Sequence, residues 1–328
     1  MSDSAESTAS PEIHRPAVDH GQANYDVRAG ADGWVSSRPP GLSYYARRLV
    51  QLPGLLITNR DLIYSSTRRE IESRTTGTLL GWLWPLIYPV FMFIVYYFVF
   101  AKLLQYKLPP DAGSTGLEAA FGIYMFVGIL AWTGFGEALG RGTNVILENG
   151  NLIKKLTFPT EVLPLNVVLV STVNMLFGVG AFLLGCLTPM WPFPALENLV
   201  WVLAILPLQI MFTYGLALFF GTLQVFLRDT MQVMTIVLTT LMFLTPIFWV
   251  PNDKVVPGIE EWMPYIEGNP LFHMTYVWRC ALMSRQPTIG FNSPTLDSVL
   301  IFAAWSVGTL VVGYLFFLRS QRRFADEI

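Results

Sequence analysis

Six apolar stretches, at about residues 79–104, 119–139, 162–187, 199–227, 231–250 and 298–318, alternate with polar segments along the chain. Bilayer hydrocarbon is roughly 30 Å thick and a helix rises 1.5 Å per residue, so about 20 mostly apolar residues cross it. Each stretch meets that length. Pro85, Pro89, Pro164 and Pro207 fall within them; the expectation is kinks, because neighbouring helices and polar side chains can satisfy the carbonyls a proline frees. The expected fold is an all-α integral membrane bundle of six transmembrane helices, residues 79–319, with a cytosolic C-terminus at 320–328.

The segments around the spans carry their own patterns. Residues 1–40 are rich in Ser, Ala, Asp, Gly and Pro with no apolar period. Such a segment buries too little to offset its ordering entropy and reads as a disordered cytosolic tail. It has no apolar core of signal-peptide type, so the first span is expected to direct insertion. Residues 41–78 interleave Leu52, Leu55, Leu56, Leu62, Ile63 and Ile71 with Arg60, Arg68, Arg69 and Arg74, as in an amphipathic helix lying in the headgroup layer. Between the fifth and sixth spans, 270–283 is apolar and aromatic but too short to cross. With Glu260 to Ile266 as a partner helix and Gly268-Asn269-Pro270 as the turn, it forms an expected re-entrant pair on the outer face, a lid within residues 251–290.

Composition narrows the class. Of 328 residues, 53% are hydrophobic and 13% charged, too much apolar surface for an ordinary soluble core. A net charge of −2 lacks the concentrated basic face that nucleic acid requires. Orientation follows from the cations. With both termini inside, the inner side holds nine arginines up to Arg74 and then Arg141, Lys154, Lys155, Arg228, Arg319, Arg322 and Arg323, whereas the outer side holds Lys102, Lys107, Lys254, Arg279 and Arg285. The positive-inside rule places both ends in the cytosol. Cys186 lies in a span and Cys280 outside one, so they read as small apolar filler rather than a disulfide.

Two inner connections are short. Glu148 to Pro159 reads as a turn, a short helix with Leu152, Ile153 and Leu156 on one side, and a proline stop; Arg228-Asp229 is a tight turn between the fourth and fifth spans.

Asp61-Leu62-Ile63, Arg74, Leu80-Gly81-Trp82-Leu83-Trp84-Pro85-Leu86-Ile87-Tyr88-Pro89 and Val95 to Phe100, followed by Asn151 to Leu156, Phe158-Pro159, Leu163-Pro164, Phe226-Leu227-Arg228-Asp229, Thr245-Pro246-Ile247 and Asn269-Pro270, together resemble the ABC-2 type permeases that export bacterial polysaccharides of O-antigen, capsule and teichoic acid type. The chain departs from that pattern at Thr75, where an aromatic is usual, and in its long tail.

The resemblance implies a homodimeric permease in the bacterial inner membrane, working with two separate cytosolic ATPase subunits on a lipid-linked polysaccharide among membrane lipids. It assigns Asn149, Asn151, Leu152, Lys154, Lys155, Phe158 and Pro159 to a coupling helix that meets the ATPase, with Arg228 and Asp229 beside it. Arg60, Arg68, Arg69 and Arg74 belong to the interface or gate helix. Trp262, Tyr265, Asn269, Pro270, Phe272, Tyr276 and Trp278 belong to the outer gate. ATP and magnesium are expected in the partner, and this chain has no G-x-x-x-x-G-K-[ST] phosphate loop and no assigned metal or cofactor of its own. A hydroxyl-rich glycan needs a wetted conduit through lipid, and aromatic faces offer sugar rings apolar contact without a fixed hydrogen-bond register. Trp82, Trp84, Phe91, Tyr96, Tyr97, Phe98, Phe248 and Trp249 are the candidate channel aromatics.

Two rivals remain at this point: an ABC-2 permease for a small lipid or drug, and a membrane glycosyltransferase or acyltransferase. The enzyme reading needs an acid/base or metal constellation. The chain has no D-x-D, and its histidines are His14, His20 and His273.

Overall fold

The computed structural model describes residues 41–77, 79–104, 117–155, 159–187, 193–251, 253, 256–283 and 294–327. The tail at 1–40 and Phe158 lie outside the described residues, as do the side chains of Trp82 and Lys155. Two compact units divide the chain, 1–44 and 45–328, and the contacts that follow lie within the second.

Twelve α-helices are described: α1 (Leu42–Thr58), α2 (Arg60–Thr75), α3 (Trp84–Tyr97), α4 (Leu117–Glu148), α5 (Gly150–Lys155), α6 (Val162–Gly185), α7 (Leu196–Phe226), α8 (Thr230–Leu244), α9 (Met263–Glu267), α10 (Pro270–Leu282), α11 (Leu296–Ser320) and α12 (Phe324–Glu327). Four of them, α4, α6, α7 and α11, are long and apolar enough to cross a membrane; α3 and α8 are apolar but shorter.

The departures from the sequence pattern have local causes. The lead-in is two helices rather than one. Asn59 interrupts it, its Nδ2 donating to the Leu55 carbonyl at 2.8 Å. The first apolar stretch starts with a 3-10 turn at Gly81–Leu83, where Gly81 has a positive φ, and α3 then opens with Pro85 in its first turn. A proline there has no N–H to leave unsatisfied, so Pro85 starts the helix and does not kink it. Beyond Tyr97 the chain winds on as a π-helix over Phe98–Leu103. Pro164 also sits in a first turn, that of α6, whereas Pro89 and Pro207 lie inside α3 and α7. The fifth stretch is helical only to Leu244. Thr245 precedes a proline and takes extended ψ of 135°, as steric clash with the proline ring demands, so residues 245–249 form a non-helical end. The second span runs nine residues past its expected limit of 139 to Glu148, because Thr143, Val145 and Ile146 are buried.

Lipid tails are as apolar as leucine, so what orders the helices is close packing and polar ties rather than transfer from water. The parallel pair α7 and α11 illustrates this: Gly215 and Gly313 let their backbones touch, and a Cβ on either would strike the other helix. Two apolar clusters result. One centres on α4 with α10, α7 and Phe302. The other gathers the α5-side ends of α4, α6, α7 and α11 together with Leu52 and Phe324; Tyr45, Leu49, Leu56 and Ile63 pack on it at helical spacing.

The expected outer pair is present as helices: a 3-10 turn at Ile259–Trp262, then α9, the turn at Gly268-Asn269, and α10. α10 is more deeply packed than a surface lid, with Leu271, Met274, Val277, Trp278 and Cys280 all within 2% of full burial. His273 is also buried, its Nε2 2.7 Å from the Glu267 carbonyl. Both cysteines are free and buried.

Candidate functional site

Three helices bring polar residues to one place. Glu70 and Arg74 are four apart on α2, Glu137 and Arg141 are four apart on α4, and Asn166 and Asn174 are eight apart on α6; each spacing returns to the same helix face. Arg74 Nη1 donates to Glu137 Oε1 at 2.7 Å and Nη2 to Glu70 Oε1 at 3.5 Å. Arg141 pairs with Glu70 directly and with Glu137 at 3.8 Å. Asn166 Nδ2 donates to Glu70 Oε2 at 2.7 Å and its Oδ1 accepts from Thr67 at 2.7 Å, while Asn174 Nδ2 donates to Glu137 at 3.3 Å. Two cations and two anions thus balance in a belt that ties the lead-in helix to α4 and α6. Burial holds the Glu70 carboxyl above its ordinary range, against the pull of Arg74 and the Asn166 hydrogen bond.

A cavity of about 570 Å³ opens beside this belt. Arg74, Glu137 and Asn174 form its polar wall, and Trp84, Tyr88, Tyr96 and Trp132 its aromatic one, with Met242 of α8 across from them. A site with aromatic faces and a few convergent polar groups can hold an amphipathic or sugar-bearing molecule.

The sequence-derived residues distribute unevenly around it. Arg74, Trp84 and Tyr96 line the cavity. Arg60, Arg68 and Arg69 are exposed; Arg60 lies 3.7 Å from Asp61, and Arg68 2.7 Å from Glu72. Phe91 on α3 and Phe98 at the start of the π-helix are exposed, whereas Tyr97 packs on Phe93 with ring centroids 5.7 Å apart. Phe248 is buried between Tyr96 and Phe243 at 5.1 and 5.7 Å, and Trp249 Nε1 donates to the Phe243 carbonyl at 2.9 Å. The aromatics expected together therefore divide into cavity wall, exposed face and packed core.

At the other end of α4 a turn at Asn149 leads into α5. Asn149 Nδ2 donates to the Val145 carbonyl at 2.8 Å, Asn151 and Lys154 are exposed, and Leu152 and Ile153 pack on the adjacent cluster. Pro159 is half-buried. Arg228 and Asp229 are exposed in the α7–α8 turn, which Gln224 braces by donating to the Arg228 carbonyl at 3.1 Å and accepting from the Met231 N–H at 2.9 Å. Just past α5, Gln321 donates to Thr160 Oγ1 at 2.7 Å and Tyr214 to the Glu161 carbonyl at 3.0 Å; burial pushes the Glu161 carboxyl up.

Around α9 and α10, Trp262 and Tyr265 are exposed with rings 6.0 Å apart. Asn269 caps α10, accepting from the Leu271 N–H at 3.0 Å and donating to Thr245 Oγ1 at 3.1 Å, and Pro270 occupies the first turn. Phe272 stacks on Tyr276 at 6.3 Å. Trp278 is buried and donates to Gln209 Oε1 at 2.7 Å. Glu70, Glu137, Arg141, Asn166 and Asn174 were not singled out by sequence. Part of the signal was legible all the same: Glu70 with Arg74 and Glu137 with Arg141 are ionisable residues at four-residue spacing, which puts each pair on one helix face.

Comparison with known proteins bears on the whole arrangement. The chain is 28% identical over 287 residues to the O-antigen export system permease protein RfbA of Myxococcus xanthus, covering 85% of this chain and 100% of that protein. It is 25% identical over 270 residues to the protein of the same name from Klebsiella pneumoniae, covering 81% and 94%. The ABC-2 type transporter pattern matches residues 61–283, from the start of the lead-in helix α2 to the end of α10, and so takes in the charged belt, the cavity, α5 and the α9–α10 pair. The chain belongs to the ABC-2 type transporter family, as a membrane subunit.

Proposed function

We propose that this chain is the permease subunit that exports a lipid-linked polysaccharide of O-antigen type across the bacterial inner membrane. The observation that carries this reading is the near end-to-end similarity to two permeases named for O-antigen export. In this reading the chain crosses the membrane six times, with α3 and its π-helical extension, and α8 with its non-helical end, as the two shorter crossings. Both termini face the cytosol and α9 and α10 re-enter from the outer side.

Two copies pair. The exposed faces of α3 with its π-helical extension (Phe91, Ile94, Phe98) and of α8 (Thr235, Thr239, Phe243) supply apolar, aromatic and hydroxyl surface suited to a passage between them. Two cytosolic ATPase subunits, which bind ATP and magnesium, dock on α5 and the Arg228-Asp229 turn. α5 packs on the cluster at the base of the bundle, so force applied there reaches α4, α6 and α7. The belt at Arg74 and Glu137 holds α2 against the spans, and the cavity beside it receives the sugar and headgroup end of the cargo.

The test is reconstitution. Purified with its ATPase partner, the chain should support ATP hydrolysis and movement of lipid-linked glycan into vesicles, and a partner mutated in its phosphate loop should abolish both. Glycosyl transfer by the isolated chain, without any partner, would defeat the proposal.

A further inference from the structure

Arg279 carries a charge into the interior of α10, and its side chain is 2% exposed. Among the described residues no carboxylate forms an ion pair with it. The guanidinium lies over the Tyr124 ring, 3.5 Å from its centroid. Its Nη2 donates to the Pro246 carbonyl at 2.7 Å and its Nε reaches the Tyr124 carbonyl at 3.4 Å. A Cβ at Gly128 would meet Nη2 at 2.6 Å, so the glycine on α4 makes the space the cation occupies.

These partners have a reason to want a cation. α8 stops at Leu244, leaving terminal carbonyls and the negative end of the helix dipole at the break. The Pro246 carbonyl accepts from both Arg279 and the Tyr124 hydroxyl, the latter at 3.0 Å. The Tyr124 hydroxyl also lies 3.0 Å from the Trp249 carbonyl, and Asn269, at the head of α10, donates to Thr245. Residues 245–249 are therefore fastened to α10 at both ends of that helix, and α10 to α4 through the cation and the ring. Burying a guanidinium that has, among the described residues, carbonyls and a ring for partners and no carboxylate is a costly way to stabilise a core that an apolar residue could fill. It fixes one geometry instead, because displacing α10 alone would take the buried charge away from both the Pro246 carbonyl and the Tyr124 ring.

We propose that Arg279 is a positioning residue that latches α10 to the non-helical end of α8, so that the outer helix pair and the end of the fifth apolar segment move as one body during transport. The inference rests on the permease reading above for its direction of motion. The latch itself stands on the geometry.

The test uses the full complex with its ATPase partner in proteoliposomes. Arg279→Met should assemble in normal amount and hydrolyse ATP at no less than half the wild-type rate, yet export at least tenfold less glycan per ATP; Arg279→Lys should restore part of that ratio by keeping the charge. An unchanged ratio in an Arg279→Met complex that assembles normally would overturn the latch. Should Arg279→Met fail to assemble, Asn269→Cys with Thr245→Cys decides instead. Oxidation of that pair should leave export intact if the two segments travel together, and a block relieved by reductant would show that they separate and end the proposal. A Glu260→Cys variant labelled by an impermeant maleimide from the outer side checks the topology on its own, so failure of the export reading and failure of the latch give different results.

Discussion

Glu137 joins α2 to α4 through one short hydrogen bond from Arg74, and both side chains are about a third exposed. Water screens such a pair, so its worth is about 1 kcal/mol rather than the larger value of a fully buried one. A double-mutant cycle of Glu137→Gln and Arg74→Gln, read by thermal unfolding in detergent, should return a coupling of about 1 kcal/mol; additive effects would mean the two do not act together. Glu70 gives a pH signature. Its carboxyl is raised chiefly by burial, so the folded state takes up a proton more readily than the unfolded one, and its contribution favours folding as pH falls and fades as pH rises through the folded value. As pH falls from neutral towards the ordinary carboxylate range, the wild-type melting temperature should therefore rise relative to that of Glu70→Gln. A relative fall would reverse the assignment.

Helices here owe their ends to single residues and their neighbours to small ones. Pro246 ends α8, Asn59 divides α1 from α2, and Gly215 and Gly313 set how closely α7 and α11 cross. Gly313→Val puts side-chain atoms against the opposing backbone, and overpacking of that kind costs about 1–3 kcal/mol; a lower yield and melting temperature of the solubilised protein should follow. At α5 the expectation concerns function rather than stability. Lys154 is exposed, so Lys154→Glu with Lys155→Glu should leave membrane insertion unchanged while reducing ATPase co-purification or export several-fold. Normal complex yield together with normal export would remove α5 from the coupling role.

Across the molecule the burial is lopsided: the apolar core of α4 is 83% buried and that of α11 only 22%. α4 is thus the central post, and α11 keeps most of its apolar face uncovered. If pairing runs through α3 and α8, a short bismaleimide should link Thr239→Cys chains into a species of twice the mass. Linking through Val307→Cys on α11 instead would move the interface there. The sequence by itself determined the helical membrane character, the α5 helix and the Gly268-Asn269-Pro270 turn, because apolar length, turn chemistry and proline placement act over a few neighbouring residues. Tertiary structure alone decided that Glu70 and Arg74 meet Glu137 and Arg141, that Phe248 is packed while Phe91 is exposed, and that Arg279 sits over Tyr124. Such pairings join residues 63 to 155 positions apart, and helix periodicity fixes which face a side chain takes without fixing which helix that face will meet.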